Sequence, residues 1–75
     1  MKFTKTYNVE INETQKNAMS RALKNTANYF VNTEKADVEL LVNDFDGSRI
    51  ISSLIVNGVI KESRIIGKKG GLTLV

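Results

Sequence analysis

Asp44 and Asp46 stand two positions apart with Gly47 behind them, a pattern that suggests cation binding through carboxylate oxygens. A calcium loop turning on Gly47 would need a carboxylate where the chain has Val42 and a closing Glu where it has Ser53, so the pair reads as a polar β-turn. Gly67-Lys68-Lys69-Gly70-Gly71 could offer backbone N–H groups and two ammonium groups to a phosphate. It lacks the spacing of a P-loop and no Gly-Lys-Ser/Thr follows, so it reads as a basic turn able to touch a nucleic-acid backbone. Hydroxyl side chains are plentiful, but the chain has no His to activate them and no Cys to form a thiolate or a disulfide. The usual zinc ligands are absent for the same reason. The expectation is a chain that is not an enzyme, with no cofactor, no metal and no small-molecule substrate.

Seventy-five residues make a single domain, 1–75, and 41% hydrophobic content is ordinary for a globular chain. A domain this small is marginal alone and gains from a partner. No apolar run approaches the roughly 18–20 residues that cross a bilayer, and the first residues lack the apolar centre of a signal peptide. No membrane association and a cytoplasmic location are expected. The net charge of +3 is unevenly spread: the segment 34–46 is acidic, while 14–33 and 47–75 are basic. Abundant Asn, Ile and Lys with little Arg fit an AT-rich gene, such as that of a virus or mobile element.

Alternation places Phe3, Tyr7, Val9 and Ile11 on one side of a strand spanning residues 2–11. Asn12 is a helix N-cap, and Gln15 occupies the reciprocal position of a capping box. Met19, Ala22, Leu23, Thr26, Ala27 and Phe30 form the apolar stripe of a helix over about 13–31, with Asn17, Arg21, Lys24 and Asn28 opposite. Residues 34–45 fit both periods. The strand reading, with Ala36, Val38, Leu40 and Val42 inward, is preferred, although Leu41 breaks it. Asn57-Gly58, between two β-branched runs, is the strongest short-range hairpin signal. It joins Arg49–Val56 to Val59–Ile66, and Leu72–Val75 makes a last short strand. The expected fold is α+β, β-α-β-β-β with a short fifth strand, one amphipathic helix packed on an antiparallel sheet.

A two-residue turn with unbroken pairing puts Ile50, Leu54, Val56, Val59 and Ile65 on one side of the hairpin. Ile51, Ile55, Ile60 and Ile66 lie on the other. Both sides are apolar, and one helix covers one side only. Ile51, Ile55, Ile60 and Ile66 are therefore the expected protein interface, serving a homo-oligomer or a larger protein partner. The expected role is a small interaction protein, regulatory or inhibitory.

An alternative rests on the run Arg49-Ile-Ile-Ser-Ser-Leu-Ile-Val-Asn-Gly-Val-Ile60, which resembles the end of a recognition helix running into the wing of a winged helix-turn-helix protein. The resemblance covers about half of the chain. It implies a positioning helix at Ala36–Asp44, a recognition helix at Arg49–Val56 and a wing tipped by Lys68 and Lys69. It also implies nucleic-acid contacts from Ser48, Arg49, Ser52 and Ser53 in the major groove, with the two lysines on phosphate.

Overall fold

The local signals account for most of the elements. A computed structural model describes residues 2–74 and orders them as β1 (Lys2–Tyr7), α1 (Glu13–Asn32), β2 (Asp37–Asp44), β3 (Arg49–Val56), β4 (Val59–Gly67) and β5 (Leu72–Leu74). The fold is α+β, with α1 packed against a five-stranded sheet of order β1-β2-β3-β4-β5. At the start of α1 the Asn12 side chain accepts from the Gln15 N–H at 2.7 Å, and the Gln15 side chain accepts from the Asn12 N–H at 3.1 Å. Two otherwise orphaned donors are thus satisfied reciprocally. Asn57 and Gly58 have φ of 50° and 85°, the pair of positive angles that a type I′ hairpin turn requires. Asn57 also ties the hairpin to β2, donating its N–H to the Asp37 carbonyl at 2.8 Å and accepting from the Asp37 N–H at 3.0 Å.

Three expectations change. The sheet is mixed, because β1 and β2 pair in parallel while the other neighbours are antiparallel. The helix between β1 and β2 is the crossover that a parallel pair needs. The first strand also ends at Tyr7; Val9 and Ile11 follow it outside the ladder and pack half-buried against the core. Finally, the winged helix-turn-helix arrangement is not formed, since Asp37–Asp44 and Arg49–Val56 are both strands. Alternation of buried Val38, Leu40 and Val42 with more exposed neighbours decided for the strand in the first of these. β5 ends the expected Leu72–Val75 strand at Leu74; Val75 lies outside the described residues.

The core fills the space between α1 and one face of the sheet. Ala18, Met19 and Leu23 meet Leu40, Val42, Ile50 and Ile66 at one end, and Ala27 meets Ala36, Val38, Leu54 and Val56 at the other. The hairpin register is not uniform. Val56 pairs with Val59 and Ile55 with Ile60, but Leu54 pairs with Glu62, so Lys61 is the extra residue of a β-bulge. Beyond it every residue of β4 is turned over relative to unbroken pairing. Ile66 therefore lies under the helix, fully buried at 0% exposure, and Ile65 lies on the far side of the sheet. The position opposite fully buried Leu54 goes to Glu62, whose carboxylate lies 3.6 Å from the Arg64 guanidinium. No helix among the described residues is long and apolar enough to cross a membrane.

Candidate interaction surface

The face of the sheet turned away from α1 is not covered by any other element of the described chain. Cross-strand register sets out its rows. Asn43, Ile51, Ile65 and Thr73 form one, Thr6, Leu41, Ser53 and Ser63 the next, and Thr4, Glu39, Ile55 and Ile60 a third. Leu41, Ile51 and Ile55 are half-buried by their neighbours in the pleat, whereas Ile60 is 62% exposed. The aliphatic residues form a bent band around a polar pair, in which the Ser63 hydroxyl donates to that of Ser53 at 3.2 Å. On the β1 side the Thr6 hydroxyl donates to a Glu39 carboxylate oxygen at 3.1 Å.

Ile51, Ile55 and Ile60 thus share the open face as expected. Ile66 does not, because the bulge turns it into the core. Leu41 takes part instead, and Ile65 points to the same side but is buried, at 8% exposure. Leu41 announced itself in sequence as the residue that broke the inward alternation of β2; Ile65 gave no such signal, because nothing local marks Lys61 as a bulge.

The residues implied as nucleic-acid contacts are dispersed. Ser52 is fully buried on the helix side of β3, its hydroxyl lacking a hydrogen-bond partner among the described residues, and Ser53 faces the opposite side. Ser48 and Arg49 belong to the β2–β3 turn, which is closed by its own carboxylates. Asp44 accepts from the Gly47 N–H at 3.1 Å, and Asp46 accepts from the N–H groups of Ser48 and Arg49 and from the Ser48 hydroxyl. The Arg49 guanidinium is 2.7 Å from Asp46 and lies over the Phe45 ring, 5.1 Å from its centre. The hydrogen bond from the Arg49 side chain, with the backbone N–H donors of Ser48 and Arg49, holds the Asp46 carboxyl well below the usual carboxylate range. Both carboxylates thus serve as acceptors that close the turn. Lys68 and Lys69 sit at the exposed β4–β5 turn, at the same end of the sheet as Arg49, which pairs with Gly67. That turn is fastened to the helix start, where the Asn12 amide donates to the Lys68 carbonyl at 3.1 Å.

On the helix side of the sheet, α1 lies over β2, β3 and β4 and leaves β1 only partly covered. Phe3 and Tyr7 are 39% and 44% exposed there, beside a cavity of about 220 Å³ whose floor includes Met19, Leu23, Leu40 and Leu54. Lys5, Lys16 and Lys24 stand at its rim.

No protein-family model matches this chain, and neither a curated protein nor a solved structure shows a significant match. The functional reading therefore rests on the chain's own geometry.

Proposed function

We propose that this protein is a small interaction module that associates through the open face of its sheet, with a second copy of itself or with a larger protein. The observation that carries this reading is the band of Leu41, Ile51, Ile55 and Ile60, on a sheet face that the described chain leaves uncovered. Burying the exposed part of such side chains recovers about 25 cal/mol for each Å² of apolar area removed from water. Four strand spacings and strands of eight residues span about 19 by 26 Å, a footprint of about 500 Å². That is below the roughly 800 Å² per partner of a standard interface, so the association supported here is concentration-dependent rather than permanent.

Light scattering across a hundredfold range of protein concentration tests the proposal. The native chain should gain mass with concentration, and Ile60→Lys should hold it at the mass of one subunit. Ile60 is exposed, so the substitution leaves the core intact, and an unchanged circular dichroism spectrum checks that it does. A native chain that neither self-associates nor loses a captured protein when Ile60 becomes Lys would refute this reading.

A further inference from the structure

The partly covered strand β1 is a second place where the molecule is unfinished, on the opposite side of the sheet. It pairs only with β2 among the described residues, so its outer edge presents unpaired N–H and C=O groups. Its helix-facing row is Phe3, Lys5 and Tyr7. Across from that row α1 presents Lys16, Ser20, Lys24 and Asn28, four residues spaced so that they stand in one line along the helix. That line is about 18 Å long and β1 about 20 Å, so the two rows are the parallel walls of a trough. The cavity at its base, about 220 Å³, exceeds the roughly 150 Å³ that suffices for a benzene ring.

The charge of the trough has one sign. Its lining contains Lys5, Lys16 and Lys24 and no carboxylate. None of the three lysines makes an ion pair among the described residues; the ammonium of Lys5 lies 5.6 Å from the centre of the Phe3 ring. A second copy of the chain is a poor occupant, because its own β1 would bring Lys2 and Lys5 to an edge already bearing Lys2 and Lys5.

We propose that β1 and the trough beside it dock an acidic, extended peptide segment of a partner protein. The segment adds to the outer edge of β1 as a further strand. Its alternate side chains reach over the trough, one aromatic or aliphatic group entering the cavity and flanking Asp or Glu side chains meeting Lys5, Lys16 and Lys24. Main-chain pairing supplies the affinity, and the alternate side chains supply the choice of partner. This surface lies apart from Ile60 and the open face, so the two proposals stand or fall separately.

The test uses a fluorescein-labelled peptide that alternates Thr with Glu-Phe-Glu on one side, read by fluorescence anisotropy with the full chain. Binding should weaken at least tenfold in Lys16→Glu/Lys24→Glu and in 0.5 M salt, and should be unchanged in Ile60→Lys. Both lysines are exposed, and Glu at the first turn of a helix suits its dipole, so the double variant should keep its helical spectrum. A peptide N-methylated at the amides facing β1 should lose binding, as should one with Lys in place of Glu. The proposal is overturned if the acidic peptide does not bind, or if the double charge reversal leaves its affinity unchanged. It is equally overturned if N-methylation has no effect and phenylacetate competes fully, because the trough would then be a site for small organic anions.

Discussion

The bulge at Lys61 makes a sharp claim about two adjacent isoleucines and a third near by. Ile66 is fully buried between α1, Leu40, Val42 and Ile50, whereas Ile60 is 62% exposed on the other side of the same strand. Ile66→Ala removes three carbons from a site with no solvent access and leaves a cavity, at a cost of about 2–5 kcal/mol. Ile60→Ala removes the same atoms from a mostly wet position and should stay within about 0.5 kcal/mol. A small domain has about 5 kcal/mol at the low end of the usual range, so the first change approaches the whole stability of the fold. In urea, with a slope of about 1 kcal/mol per molar, the midpoint of Ile66→Ala should fall by at least about 2 M. That of Ile60→Ala should move by about 0.5 M or less. The denaturation curves should be taken at two protein concentrations, because self-association would add its own contribution to the apparent stability. If Ile66→Ala were as mild as Ile60→Ala, β4 would not carry the register described, and the composition of both sheet faces would have to be reassigned.

Two further outcomes follow from the turns. Gly70 has φ of 89°, and a Cβ there would lie 3.0 Å from Thr14 Cγ2, so Gly70→Ala should cost about 1–2 kcal/mol for the left-handed backbone plus a steric part. Thr14→Ser removes that methyl group, so in thermal melts the double variant should recover the steric part alone, giving a coupling of at least about 0.5 kcal/mol. Asp46 should titrate well below the other carboxylates in NMR spectra, and Arg49→Gln should bring it back toward its ordinary value of 3.8. Because its folded-state value is depressed, its small contribution to stability is present above that ordinary value and is lost as pH falls through the folded-state value. Asp46→Asn should therefore flatten the acid limb of the stability curve by lowering stability slightly at neutral pH, with little change in strong acid.

Legibility in the sequence followed the range of the interaction. Asn12 with Gln15, the stripe from Met19 to Phe30, and Asn57-Gly58 each act over a few residues, and each is where it was expected. The two faces of β2 and β3 follow from alternation alone. The direction of β1 depends on which strand it meets after a long helix, so a strand–helix–strand order was the signal for a parallel pair that alternation could not supply. The bulge was invisible locally because Val59–Ile66 contains no Gly. It decides which of Ile65 and Ile66 goes under the helix, and two adjacent isoleucines carry no local signal that separates them. The trough was hidden for a related reason. Lys24 read as part of a wet helix face, and only the position of α1, over β2 to β4, turns the line Lys16, Ser20, Lys24, Asn28 toward β1.

The two margins of the sheet are unlike. β1 offers a regular margin, while the opposite one is broken: β5 covers only Arg64–Ile66, and the stretch left beyond it contains the irregular step at Lys61. Head-to-tail stacking of copies into a fibre needs two margins that match. One smooth and one interrupted margin do not match, so a strand added at β1 would not hand on a matching margin from copy to copy.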